Sequence, residues 1–522
     1  MEVKKCYNKE VKNRKKKIVF FVIVFILLIT RLFLFSSHPA GLNQDETSIG
    51  YDAYSLMKYG VDRNGQSFPV HFIAWGSGQN ALYAYLSIPF IALFGLNVFS
   101  VRIVNLVFSI LSAFAVYDLV KRSHGEKCGL IAFALVAISP WNIMLSRWAL
   151  ESNLFPSLIA LSLWSLVKGL SNKTFLYFSS FLLALSLYSY GSAYLVITVF
   201  VITVLVFYIY AYRKEKEVVK ELSLKCVLLN IFIYIIVAFP IYCFVLINVF
   251  QLETMNIGAI TISRTYGARI ADVFGFGFGF MKRICDLVIL QYDGTLRNSL
   301  PFIGCTYLVS LPFIVFGIRK VFLLRKSADV LVFTMLCSGM LLFCYYADPN
   351  INRVNAIYIP MLILTSVGLR DFIKDKKMFG MIIGLYAVYF ICFLISYFSF
   401  SYRDMIGREF FESYGEAILK AEELTKDNDK VIYSVADVNA SYVQVLFYTK
   451  TPVGDFLSSV KYKNPGAQFQ QVDSFGKYVF NKDRLDSETK GVYILDNSMV
   501  EEAEGIADEI YYFKNYSVAV IE

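Results

Sequence analysis

Apolar runs of near-spanning length alternate with short polar links over most of this chain. The first, 18–35, follows KNRKKK at 12–17, and its length approaches the roughly 20 residues that a spanning helix needs. Later runs fall at 101–120, 128–144, 154–170, 174–189, 191–212, 226–248, 301–318, 328–346, 354–369 and 379–400. The run at 81–96 holds Pro89 and is closely followed by the next. If it crossed, KRSHGEK at 121–127 and every later basic loop would lie outside. As a re-entrant or interfacial segment it leaves KRSHGEK, KGLSNK, RKEKEVVKELSLK, RKVFLLRK and RDFIKDKK on the cytoplasmic side with the N-terminus, as the positive-inside rule favours. The pattern therefore predicts a polytopic α-helical membrane protein of about eleven crossings. The basic flank, the long apolar run and the poor cleavage site SSHPAG mark the first run as a retained helix, not a signal peptide.

On this map the outward connections are 36–79, SRWALES at 146–152, SYGS at 189–192, the long loop 249–300 and ADPNINR at 347–353. Within the first, TSIGYDAYSLMKYG at 47–60 has helical spacing but is too short to span, which predicts an interfacial helix. The character changes after about residue 400. REFFESYGEAILKAEELTK reads as an amphipathic helix, KVIYSV, GVYIL and SVAVI as strands, and SYVQVLFYT as a further helix. The expected organisation is a cytoplasmic N-terminus (1–17), a membrane catalytic domain (18–400) and a small extracytoplasmic α/β domain (401–522).

Composition agrees: 57% of the 522 residues are hydrophobic and 17% aromatic, more than a soluble core requires. The net charge of +9 sits largely in the short basic links, so orientation in the bilayer explains it and nucleic acid is not a partner. Nine cysteines without a CxxC imply neither a disulfide framework nor a zinc site.

The candidate chemistry lies on the outer face. Asp45 and Glu46, in GLNQDETSIG at 41–50, follow the first span closely; a carboxylate pair just outside a membrane is a candidate active site. Adjacent side chains point apart, so Asp45 is the expected base, and Glu46 orients its loop or binds a sugar hydroxyl or a metal. Other outer acids are Asp52, Asp62, Glu151, Asp272, Asp293 and Asp348; the cations are Arg63, Arg147, Arg264, Arg269, Arg297 and Arg353. Arg147 and Arg353 stand in short outward loops against the charge bias, which makes them candidates for an anionic ligand; anchoring at the interface, or an Arg147–Glu151 ion pair, is the competing reading. Arg31, near the outer end of the first span, is expected to snorkel.

With these residues on the page, a family resemblance can be stated. The DE pair, ISPWNIMLSRWALESNLFP (138–156), LYSYGSAYL (187–195), QYDGTLRNSLPFIG (291–304) and NRVNAIYIPML (352–362) resemble bacterial members of glycosyltransferase family 39. These are GT-C-fold proteins related to protein O-mannosyltransferases and to the aminoarabinose transferase of lipid A. The resemblance covers about 20–400. It implies a polyprenyl-phosphate-linked monosaccharide donor, transfer on the outer face, and Asp45 at the catalytic position. The long outer loop lacks the large β-trefoil insert of the eukaryotic protein mannosyltransferases, which points away from a protein acceptor and toward an envelope glycan or lipid. Phosphate is already a good leaving group, so one base and some cations suffice; the paired acids of a glycoside hydrolase are not required. Arg353, Arg147 and Arg297 are the candidate phosphate ligands. Glu151, His71, Tyr190 and Asp293 are candidates for sugar or acceptor, and a divalent cation is a candidate cofactor.

Other signals are weaker. GFGFGF at 275–280 lacks the setting of a phosphate loop and reads as an aromatic surface loop. His38 and His71 share the first loop with Asp45 without ligand spacing. Tyr188, Tyr190 and Tyr194 are sugar platforms or, preferably, part of an aromatic belt. A transporter or lipid-carrier flippase is the alternative; it calls for paired broken helices in two similar halves, and no such repeat is visible. A structural docking protein would leave Asp45, Arg147 and Arg353 without a purpose.

Overall fold

The computed structural model describes residues 2–76, 78–213, 223–265, 278–426, 430–467, 469–482 and 484–522, without the side chains of 2–12, Phe278 and Ile373. Most of the basic loop 213–225, Arg269, Asp272 and the 275–277 part of GFGFGF lie outside the described residues.

Ten helices among the described residues open the chain: α1 Glu2–Leu32, α2 Gln44–Tyr59, α3 Leu82–Phe94, α4 Val98–His124, α5 Glu126–Ile138, α6 Pro140–Leu145, α7 Glu151–Gly169, α8 Lys173–Ser186, α9 Ser192–Arg213 and α10 Leu224–Val249. Among the described residues, five helices are long and apolar enough to cross a membrane: α4, α9, α10, Ser327–Tyr345 and Lys376–Tyr397. The apolar helices α3 and α8, of 13 and 14 residues, are shorter than that. The run at 128–144 is two helices, not one, because Pro140 has no N–H to continue α5 and instead starts α6, which Ser139 caps.

Arg31 does not snorkel. It is completely buried, donating to the Val136 and Ala137 carbonyls at 3.1 and 3.0 Å, to Ser109 Oγ at 3.0 Å and to Asn142 Oδ1 at 2.5 Å. Snorkelling serves a lipid-facing arginine; this one faces α4, α5 and α6, whose oxygens solvate it.

Beyond residue 400 the chain builds a seven-stranded sheet in the order β10-β11-β9-β5-β8-β7-β6. β1 (His71–Phe72) pairs with β2 (Gln79–Asn80), and β3 (Met255–Ile257) with β4 (Ile260–Ile262), as separate hairpins. The sheet strands are β5 Ile432–Ser434, β6 Lys461–Tyr462, β7 Val472–Phe475, β8 Tyr478–Val479, β9 Gly491–Asp496, β10 Glu509–Tyr512 and β11 Tyr516–Ile521. β5 runs parallel to β8 and β9; the other neighbours are antiparallel. One face buries Ile432, Val492, Ile494 and Val518 against helices Tyr414–Leu424 and Ser441–Thr449.

Candidate functional site

The site is built on the first turn of α2. Asn43 accepts from the Asp45 and Glu46 amides at 3.0 Å each, and Glu46 reaches back to the Asn43 N–H, a reciprocal capping box. This seats Asp45 at a helix N-terminus, where negative charge is favoured. One Asp45 oxygen accepts the Trp75 indole N–H at 2.9 Å. Trp75 lies between β1 and β2, in a hairpin that needs glycine at 78: φ is 85°, and a Cβ there would stand 2.4 Å from the Phe72 carbonyl. The loop is tied to the segment after α10, Val70 N donating to Thr261 O at 2.9 Å and Thr261 N to Ser67 O at 3.1 Å.

A polar relay runs from Asp45's helix to α7. Arg63 bridges Asp52 at 3.1 Å and Ser48 Oγ at 2.5 Å, Ser48 donates to Gln79 at 2.7 Å, and Gln79 donates to Glu151 at 3.3 Å. Arg63 lies 5.1 Å from the centre of the Trp75 ring, a cation–π contact. Burial raises the Asp45 carboxyl, opposed by the Trp75 N–H and the charges of Arg297 and Arg63, while Glu46 adds a smaller push upward. Glu151, ahead of its apolar run, is pushed up to about 8 by burial and then by the charge of Asp45. Burial thus lifts both carboxyls above the ordinary range, and only Asp45 has an indole N–H and two arginine charges to oppose the rise.

The other predicted residues fall in different places. Arg297 acts on Asp45 electrostatically and pairs with Glu409 at 3.2 Å. Arg353 donates to the Asp348 carbonyl at 2.6 Å and lies 5.4 Å from the Tyr346 ring centre. The Tyr346 hydroxyl is within electrostatic reach of Tyr190, Tyr194 and Arg353, and Tyr194 accepts from Asn80, next to Gln79, at 2.9 Å. Arg353 and Tyr190 thus belong to a wall beside the Asp45 relay. Asp293 organises that wall: it accepts from Asn298 Nδ2 at 2.7 Å and from Ile351 N at 3.0 Å, two residues before Arg353.

Three expectations need correction. Arg147 is not available to phosphate, because its five N–H donors go to the carbonyls of His38, Thr30, Arg31, Phe33 and Leu34 at 2.7–3.1 Å, capping the end of α1. Glu46 is not open to substrate: completely buried, it binds Arg102 bidentately at 2.8 and 2.9 Å and accepts from Ala149 N at 2.8 Å. It orients the loop, one of the two options its sequence position left. His71 is buried and stacked on Phe244 at 4.2 Å, with Nδ1 3.1 Å from its neighbour Phe72 O, and burial lowers its pKa to about 4. Nor does a metal cluster form from the first-loop histidines: among the described residues no three His, Cys, Asp or Glu side chains gather as a metal site. His38 packs on Tyr397 and Tyr402.

Sequence reasoning passed over Trp75, Gln79 and Arg102. Arg102 had a signal, a guanidinium inside the apolar run 101–120, where a charge needs a buried partner. Trp75 and Gln79 had none, since a two-residue strand pair brings them together.

With this geometry in hand, the fold can be compared with known structures. The chain has the fold of ArnT from Cupriavidus metallidurans: the apo crystal structure matches with a TM-score of 0.57 at 8% identity, covering 96% of this chain and 97% of that one. The ArnT structure bound to undecaprenyl phosphate matches with a TM-score of 0.55 at 9% identity and the same coverage. The apo Archaeoglobus fulgidus oligosaccharyltransferase matches with a TM-score of 0.48 at 11% identity, covering 83% of this chain and 63% of that one. Residues 80–243 match the family described as dolichyl-phosphate-mannose-protein mannosyltransferase. No curated protein matches the sequence. The chain has the GT-C fold that the resemblance implied.

Proposed function

We propose that the protein is an inverting glycosyltransferase that moves one sugar from a polyprenyl phosphate to an extracytoplasmic acceptor, a glycan or lipid of the envelope. The observation that carries this reading is Asp45: a half-buried carboxylate at a helix N-terminus, held by Trp75, with Arg63 and Arg297 in electrostatic reach and Glu151 linked to the same helix through Ser48 and Gln79. Asp45 takes the proton of the acceptor hydroxyl as its oxygen bonds to the anomeric carbon. The bond from that carbon to the phosphate oxygen breaks, and its electron pair leaves with the polyprenyl phosphate. A single displacement inverts the anomeric centre. Arg353 and Arg297 are the cations assigned to the departing phosphate. Glu151, Tyr190 and Asn80 line the sugar side, and His71 and Asp293 support it from behind. The undecaprenyl phosphate of the ArnT complex supports a lipid phosphate as the donor's carrier.

In the membrane this reading has about eleven crossings, a cytoplasmic N-terminus and residues 401–522 outside. The test is transfer by the purified protein in lipid nanodiscs from a polyprenyl-phosphate sugar to envelope glycolipid. Wild-type turnover that Asp45→Asn abolishes supports the reading; a wild-type protein inert toward every polyprenyl-phosphate monosaccharide overturns it.

A further inference from the structure

The C-terminal domain does not merely follow the membrane domain. Its helix Ser441–Thr449 lies directly on α2, the helix that carries Asp45. Gln444 donates to the Leu42 carbonyl at 2.9 Å, just ahead of the Asn43 cap, and the Tyr51 hydroxyl donates to the Thr451 carbonyl at 2.7 Å. Phe447 meets α2 at Gly50, where a Cβ would stand 2.6 Å from its ring and 2.9 Å from Val101 Cγ2. Tyr51 belongs to the hydrophobic core of the C-terminal domain, and Trp75 packs against that core.

One contact leads from that domain to the base. The Tyr442 side chain, 8% exposed, is within electrostatic reach of the Arg63 guanidinium: burial raises its phenol, and the Arg63 charge opposes that rise. Arg63 is fixed on its other edge by Asp52 and Ser48 and rests on Trp75, which donates to Asp45. Tyr442, Arg63, Trp75 and Asp45 thus form a chain of contacts that starts in one domain and ends at the base of the other.

We propose that the C-terminal domain is a working part of the active site: its helix Ser441–Thr449 clamps α2, and Tyr442 is a positioning residue that sets Asp45 through Arg63 and Trp75. The inference rests on the reading of Asp45 as the base. It gives the domain a purpose that a docking module would not have. A guanidinium held by Asp52 and Ser48, with the Tyr442 phenol in electrostatic reach, keeps one orientation, and the Trp75 ring beside it inherits that orientation.

The charged groups facing Asp45 are Glu46 on its own helix, Arg63 and Arg297 from the outer loops, and Glu151 at the start of α7. Arg63 is one of the two cations that hold Asp45 down, so freeing it moves the base upward.

The test uses the full-length protein in nanodiscs with Tyr442→Phe, which removes one oxygen, and Phe447→Leu, which loosens the contact at Gly50 without emptying it. Two readouts are taken: hydrogen exchange of residues 44–59, and the pH profile of kcat/KM for transfer. Both variants are expected to exchange faster in α2 with β9 and β11 unchanged. Tyr442→Phe is expected to lower kcat by roughly three- to tenfold, the order of one polar interaction, and to move the acid limb to higher pH. A merely structural tyrosine would leave that limb in place. Wild-type exchange in α2 for both variants overturns the clamp; faster exchange with an unmoved acid limb overturns the link from Tyr442 to Asp45. If the wild-type protein transfers no sugar, the catalytic reading fails by itself, and exchange still decides the clamp.

Discussion

Glu46→Gln separates an architectural carboxylate from a chemical one. Each Glu46 oxygen accepts two bonds: Oε1 from Arg102 Nε and Ala149 N, both at 2.8 Å, and Oε2 from Arg102 Nη2 at 2.9 Å and Asn43 N at 3.3 Å. A glutamine has one acceptor and one donor end, so either flip sets its NH2 against two donors. Arg102, completely buried, keeps the Pro39 and Gly41 carbonyls at 2.7 Å but loses its counter-charge. Breaking a buried pair by changing one partner costs about 3–5 kcal/mol, a large share of a domain's typical stability of about 5–15 kcal/mol. The damage is local as well, because the same carboxylate fixes Asn43, which caps Asp45's helix, and Ala149, two residues before Glu151. Thermal unfolding in detergent should therefore show Glu46→Gln clearly less stable than wild type. The double variant Glu46→Met with Arg102→Met should recover much of the loss, since it strands no charge. A Glu46→Gln protein as stable as wild type but as inactive as Asp45→Asn would refute this reasoning and return Glu46 to the chemistry.

Arg353→Ala should weaken donor use roughly a hundredfold and Arg353→Lys should recover only part of it, since lysine lacks the planar fork; unchanged donor KM and kcat in Arg353→Lys would remove Arg353 from the phosphate site. Glu151 has a folded pKa of about 8, above its ordinary 4.5. The folded state then holds a proton that the unfolded state has lost, so the Glu151 contribution to stability falls as pH rises between these values. Melting temperatures across that range should fall less steeply in Glu151→Gln, and an unchanged slope would contradict the assignment. For topology, a cysteine introduced by Ser123→Cys should react only with reagents that reach the cytoplasm, and one from Asn497→Cys with impermeant reagents outside. Outside labelling of Ser123→Cys in intact cells would overturn the map.

Much of the architecture was legible because it rests on local periodicity. Helix Ser441–Thr449 coincides with SYVQVLFYT, β5 falls within KVIYSV, and β9 and β11 each extend GVYIL and SVAVI by one residue. The other four strands were not visible: β6 and β8 have two residues each and β7 and β10 four, too few to display an alternation. α2 was expected at 47–60 but begins at Gln44, because N-Q-D-E is a capping box as well as a carboxylate pair. The same box gives Glu46 its loop-orienting part, the option that the sequence left open beside a sugar hydroxyl or a metal. Arg147 misled. A cation against the charge bias signals a buried anion or a buried set of carbonyls, and only the fold shows that five carbonyls at the end of α1 converge on it.

The most direct test of the central claim is the turnover of Asp45→Asn on a purified polyprenyl-phosphate sugar, measured with donor binding. The side chain keeps its size and can still accept the Trp75 N–H, so folding and donor affinity should persist. Turnover should fall by about two to four orders of magnitude, the usual contribution of a general base. An Asp45→Asn enzyme that transfers sugar at the wild-type rate would contradict the account.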